Sequence, residues 1–221
     1  MCAIIGSSSI SMFEILYQAN VTRGNFASSL MCLVERNDQH VLKQYKSIDF
    51  DNVGLDPNSE YFIGHAQAPT SSNRTWSYDT SHPFESISWS VMHNGVLTNS
   101  KELNEKYTPW NVNPVDTAVI PALLQKFTEE CKGECPSHEI IKRVISLLEG
   151  TFALCIVDTD VNDVYLARQG SILHYNNTGD FSSLSGNGFT EVKEGDIIML
   201  QDYSSWKTVN TFNHKSPFLF I

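Results

Sequence analysis

The chain has 221 residues, 41% hydrophobic and 18% charged, which is enough apolar material for a packed globular core. Its formal net charge of −10 disfavours direct binding to nucleic acid or to an anionic membrane through broad surface electrostatics. No run approaches the ~20 apolar residues of a membrane span. The N terminus lacks the basic stretch and apolar segment of a signal peptide, so a cytoplasmic protein is expected.

Residues 2–6 read as a short buried strand. Met12 to Ala19 has helical spacing, and Arg23-Gly24-Asn25 turns the chain. Leu30 to Val34 and Val41 to Tyr45 look like paired strands around Asn37-Asp38. Tyr61 to Ala66 is another strand, followed by a Ser/Asn-rich loop through Pro83. A loop of that length inside a compact domain usually has a job, such as covering a site. Ser88 to Met92 alternates as a strand and runs into His93-Asn94-Gly95, where Asn-Gly signals a turn.

Asn99 to Tyr107 is predicted as a short helix, with two more over Asp116 to Glu130 and Ser137 to Leu148. The last places Ile140, Ile141, Val144, Ile145 and Leu148 on one face. Short strands follow at Phe152 to Val157, Val164 to Arg168, Ile172 to Tyr175, Phe181 to Leu184, Ile197 to Leu200 and Lys207 to Phe212. Two groups of strands separated by helices suit sheets stacked face to face with helices outside, an α+β architecture. Nothing resembling a linker divides the chain, so 1–221 is expected to be one domain.

Five cysteines without an export signal suggest a reduced protein. Cys131 and Cys135 flank Lys132-Gly133-Glu134 and resemble half a metal site with His138. No second pair follows, and a helix-end loop is favoured. Cys32 and Cys155 lie in apolar runs and read as small core residues. The sequons at Asn20, Asn73 and Asn176 are read as chance.

The chemistry concentrates at Cys2. If Met1 is removed, a thiol and a free α-amine stand on adjacent carbons. The amine, with a pKa of roughly 7.7–8, can accept a proton from a thiol with a pKa near ~8.5. Such a pair can attack an amide carbonyl without a separate histidine. The competing reading is a plain buried strand edge. His93-Asn94-Gly95 offers an amide side chain and an unhindered N–H, donors that can contribute roughly 3–4 kcal/mol to stabilising an oxyanion.

Seven segments in order carry a resemblance: Cys2-Ala3-Ile4-Ile5-Gly6, Arg23-Gly24, Ile63-Gly64-His65 with Pro69-Thr70, His82-Pro83-Phe84, His93 to Asn99, Asp116-Thr117, and Leu148 to Ala153. A weaker one is Ala167 to Ser171. The set resembles the glutaminase domain of class II, N-terminal-nucleophile glutamine amidotransferases, a family that includes glucosamine-6-phosphate synthase and glutamine phosphoribosylpyrophosphate amidotransferase. The resemblance implies a four-layer αββα sandwich of the N-terminal-nucleophile hydrolase type, with Met1 removed in the mature form.

It also implies roles. Cys2 would be the nucleophile and its amine the general base, with the Asn94 side chain and Gly95 N–H as the oxyanion hole. Asp116 would hold the α-ammonium of glutamine, although a carboxylate ahead of a helix also reads as an ordinary N-cap. Thr70 would line the substrate loop, and Arg23 would support the nucleophile or simply occupy a solvated turn. Where the family has an arginine that clamps the α-carboxylate, this chain has Gln67, one neutral amide in place of a charged fork. Arg74 either restores that charge or lies on the surface.

The expected function is therefore hydrolysis of glutamine through a thioester on Cys2. No cofactor or metal is required. The chain stops near the end of a glutaminase domain, so a standalone enzyme feeding a separate ammonia-accepting synthase or transferase is expected. The apolar 216–221 tail would dock on that partner or fold into the domain. The alternatives are hydrolysis of a different amide, prompted by Gln67, and a catalytically silent binding module.

Overall fold

The structure is a computed structural model that describes residues 2–21, 27–36, 39–47, 55, 58–68 and 77–215. Its strands are β1 (Ala3–Ser7), β2 (Ala27–Arg36), β3 (Gln39–Ser47), β4 (Tyr61–Gln67), β5 (Phe84–Glu85), β6 (Trp89–Leu97), β7 (Gly150–Asp158), β8 (Asp163–Gln169), β9 (His174–Tyr175), β10 (Phe181–Ser182), β11 (Thr190–Glu191), β12 (Asp196–Gln201) and β13 (Ser205–Thr211). The helices are α1 (Ile10–Val21), α2 (Ser100–Tyr107), α3 (Val119–Cys131) and α4 (Ser137–Ile145).

One sheet runs β11-β9-β10-β1-β4-β2-β3 and the other β13-β12-β8-β7-β6-β5. The strands therefore do not segregate as two sequence blocks. β5 and β6, which precede the helices, join the second sheet, and β9 to β11 return to the first.

Period-2 alternation sorts the side chains into three cores. Ile4, Met31, Leu33, Tyr61 and Ile63 face Met92, Ala153, Cys155, Val164 and Leu166 between the sheets. The alternate residues Ile5, Leu30, Cys32 and Phe62 pack on Phe13, Leu16 and Tyr17 of α1. On the second sheet, Trp89, Val91, Phe152, Leu154 and Tyr165 pack on Val119, Leu123, Phe127, Ile141 and Val144 of α3 and α4. Each such side chain contributes roughly 1.5–3 kcal/mol on burial. Three stacked cores make four layers, the αββα sandwich.

Several local expectations change. Asn94-Gly95 is no turn: β6 continues to Leu97, pairing Gly95 with Phe152 of β7. Asp116 opens a 3-10 turn, Asp116–Ala118, whose N-cap is Val115, so Asp116 is not the cap. The last helix stops at Ile145 rather than Leu148.

Cys131 and Cys135 are joined in a disulfide, with Cα atoms 5.6 Å apart, against the expectation of reduced thiols in a helix-end loop. The physical reason is local: positive φ at Lys132 and Gly133 folds the chain back after α3 and brings the thiols together. Cys32 and Cys155 are free and buried, as core residues. Arg23, Thr70, Arg74, Asn37-Asp38 and the 216–221 tail lie outside the described residues. No helix among the described residues is long and apolar enough to cross a membrane.

Candidate active site

The register of the first sheet positions Cys2. Ala3 pairs with Ala66 in the antiparallel β1–β4 ladder, so Cys2, one residue earlier, comes opposite Gln67. Directly opposed residues share a face of the sheet. The Cys2 sulfur lies 3.4 Å from the Ala68 N–H and 3.7 Å from the Ala68 carbonyl oxygen. A thiol can donate to that carbonyl, and a thiolate can accept from that N–H, so either protonation state is served. Cys2 is half-buried, and Gln67 is buried with its Nε2 donating to the Thr80 carbonyl at 3.4 Å.

The second sheet brings the end of β6. Gly95 has φ +152°, and a Cβ there would strike the Thr151 carbonyl oxygen of the paired strand. Only glycine allows that close approach in this conformation. Asn94 is buried one residue before it. Alternation puts Asn94 on the same face as Met92, toward the first sheet.

The helical layer supplies Asp116. Its Oδ2 accepts the Leu97 N–H at 2.8 Å and its Oδ1 accepts the Thr117 N–H at 2.9 Å. These donors fix the carboxylate against the end of β6.

Cys2, Gln67, Gly95 and Asp116 line one cavity of about 420 Å³, together with Thr80, His82, His93 and Thr117. Asp116 is the one acidic or basic side chain, histidine apart, among these described lining residues. Of the others expected from sequence, Asn94 is not among the residues lining this cavity, and Arg23 and Thr70 are not among the described residues. A broader groove shares Thr80 and Pro114 with this cavity and carries the exposed side chains Tyr78, Ile87, Trp110 and Val112.

Sequence reasoning assigned no role to a buried polar wall beside Asp116. His65 and His82 stack with ring centroids 4.0 Å apart. Thr117 Oγ1 bridges His82 Nε2 at 3.3 Å and His93 Nδ1 at 2.9 Å. Desolvation holds the His93 imidazole below its ordinary pKa, opposed by the Asp116 charge and the hydrogen bond to Thr151. The available signal was a histidine in each of two largely apolar strands, His65 and His93, which alternation alone does not explain.

Two antiparallel sheets stacked face to face and enclosed by helices make an α+β sandwich of the N-terminal-nucleophile hydrolase type. The profile of the glutamine amidotransferase domain matches residues 79–181. Glutamine–fructose-6-phosphate aminotransferase (isomerizing) of Listeria innocua is 30% identical over 139 residues, covering 61% of this chain and 22% of that protein. 7-Cyano-7-deazaguanine synthase 2 of Sulfurisphaera tokodaii is 32% identical over 117 residues, covering 52% of this chain and 24% of that protein.

The solved glutamine phosphoribosylpyrophosphate amidotransferase of B. subtilis superposes with a TM-score of 0.74 over 95% of this chain and 49% of that one, at 17% identity. At that identity the likeness speaks for the fold. The matched segments span about a quarter of the length of these two curated relatives. Fold and sequence likeness together support a glutaminase-type domain of the N-terminal-nucleophile amidotransferases, with the sequence match lying in residues 79–181.

Proposed function

We propose that the chain, as one domain over 1–221 with Met1 removed, hydrolyses the side-chain amide of glutamine and hands the ammonia to a separate synthase or transferase. The observation that carries this reading is the single cavity joining Cys2, Gly95 and Asp116, each from a different layer of the sandwich. In the proposed cycle, the Cys2 amine takes the thiol proton and the sulfur attacks the amide carbon. The oxyanion is held by the Gly95 N–H and the Asn94 amide. Collapse expels ammonia, which leaves with the proton from the amine, and a γ-glutamyl thioester remains. Water, deprotonated by the same amine, attacks the thioester, and the departing thiolate regains a proton to give glutamate and free Cys2.

Asp116 would hold the substrate ammonium. It is already fixed by two backbone donors, so it needs no rearrangement to do so. The proteins named above carry domains of this type within longer chains of different named activities. That variety supports an acceptor outside the glutaminase domain without identifying it.

The test is the intact mass of the protein with and without an electrophilic glutamine analogue. Loss of Met1 and one adduct on Cys2, blocked by excess glutamine, is the expected result. A processed chain that takes no label would overturn it.

Gln67 favours a second reading, an amide other than that of free glutamine. Its neutral side chain faces the nucleophile where the family's arginine would clamp a carboxylate. A glutamine analogue lacking the α-carboxylate that turns over as fast as glutamine would select this reading.

A further inference from the structure

Behind Asp116, the hydrogen bonds of Thr117 and His93 admit one proton arrangement. His93 Nε2 lies 3.3 Å from the Thr151 carbonyl oxygen. A carbonyl only accepts, so Nε2 carries the proton. Burial keeps the ring neutral at pH 7, despite the Asp116 charge and the Thr151 bond pulling the other way. Nδ1 is therefore an acceptor. Thr117 Oγ1 lies 2.9 Å from that nitrogen and 3.4 Å from Asp116 Oδ1. The hydroxyl has one proton, and the shorter bond takes it. His82 Nε2, 3.3 Å away, then donates to the Thr117 oxygen. The chain runs from His82 through Thr117 to His93 and on to the Thr151 carbonyl.

This direction decides what Asp116 presents to a ligand. With the Thr117 hydroxyl turned to His93, the carboxylate keeps its two backbone donors from Leu97 and Thr117. Protonation of His93 makes Nδ1 a donor. Thr117 must then accept from it, and its hydroxyl proton turns to Asp116 Oδ1. The carboxylate would gain a third donor and a cation at close range, and both compete with an ammonium ligand.

We infer that Thr117 is a positioning residue of the ammonium site: by giving its hydroxyl proton to His93 it keeps the Asp116 carboxylate open, and protonation of His93 reverses that bond. The inference rests on reading Asp116 as the ammonium holder. The groups around His93 are Asp116 and Thr117 from the 3-10 turn and His82 ahead of β5. The others are His65 of β4, whose Nε2 lies 3.2 Å from the His93 carbonyl oxygen, Thr151 of β7, and Cys2 across the cavity.

The test uses the full chain as wild type, Thr117→Val, which removes the hydroxyl with little change in shape, and Thr117→Ser, which keeps it. Two-bond nitrogen–proton spectra of the imidazoles, from about pH 5 to 8, report the tautomer and titration of His93. Wild type should show His93 protonated on Nε2. In Thr117→Val the imidazolium loses its Nδ1 acceptor, so His93 should titrate at lower pH, and Thr117→Ser should restore the wild-type curve.

Glutamine kinetics give the second readout. Acidification from about pH 7.5 to 5.5 should raise KM about threefold less in Thr117→Val than in wild type. The acid fall in kcat, set by the Cys2 amine, should be the same in both.

A wild-type His93 protonated on Nδ1, or a valine variant with an unchanged His93 titration and KM profile, would overturn the inference. The wild-type tautomer decides the proton arrangement even if the valine variant fails to fold. A chain that does not turn over glutamine at all refutes the proposed function instead, and the imidazole spectra then judge Thr117 by themselves.

Discussion

The backbone N–H of Leu97 donates to Asp116 Oδ2 at 2.8 Å, which ties the end of β6 to the first turn of the helical layer. The same carboxylate therefore ties two layers together and is the one charged side chain among the described lining residues, histidine apart. Asp116→Asn keeps the size but removes the charge and sets an amide N–H₂ against one of the two backbone donors. Glutamine KM should rise by about two orders of magnitude, equivalent to ~3 kcal/mol, with a smaller change in kcat. Steady-state kinetics across glutamine concentration check this. An unchanged KM would remove Asp116 from the ammonium site.

Gly95 carries a steric constraint that is independent of any chemistry. Its φ of +152° and the Thr151 carbonyl oxygen, lying where a Cβ would stand, leave no room for a methyl group. Gly95→Ala must shift β6 from β7 and should cost about 2–4 kcal/mol of stability. Activity should fall by more than the unfolded fraction explains, because the N–H proposed to hold the oxyanion moves with the strand. Urea unfolding and activity measured on the folded fraction separate the two effects.

The layers were legible because burial writes a period-2 pattern. Ile4 and Ile5, or Leu30 and Met31, go to opposite cores, and a chain with helices between strand groups has few ways to cover both faces. The mixed strand order was not legible, since the β9–β10 hairpin joins β1 through a pairing of residues more than 170 positions apart, which leaves no local trace.

Cys2, Gly95 and Asp116 stood out because the resemblance assigns each a role. Thr117 and His82 lie in two of the same segments but were given none, because the contact between them is a hydrogen bond between residues 35 positions apart. The Asn94-Gly95 turn failed for a related reason. Glycine there answers a close approach by β7, which neither residue's local preference reveals.

The depressed pKa of His93 makes stability depend on pH. In the unfolded chain the imidazole protonates near 6.5, while desolvation in the fold resists protonation until lower pH. The unfolded state therefore binds more protons in that window. The stability is fully present above about pH 6.5 and is lost as pH falls toward the folded value, at up to about 1.4 kcal/mol per pH unit for the one group. Urea unfolding at several pH values should show the decline, and His93→Gln should make it shallower by one proton. A wild type equally stable on both sides of that window would refute the assignment.

Gln67 is the position where a single substitution tests substrate identity. It lies opposite Cys2, lines the cavity and donates to the Thr80 carbonyl, so an arginine side chain started from the same backbone would reach the same space. If free glutamine is the substrate, Gln67→Arg supplies a charged fork for its α-carboxylate and should lower KM about tenfold or more, with kcat little changed. The gain should vanish for a glutamine analogue whose α-carboxyl is converted to an amide, since nothing is left to clamp. The reverse pattern, a loss for glutamine with the amide analogue still turned over, would mean that Gln67 is suited to a neutral group. Free glutamine would then be the wrong substrate for this cavity.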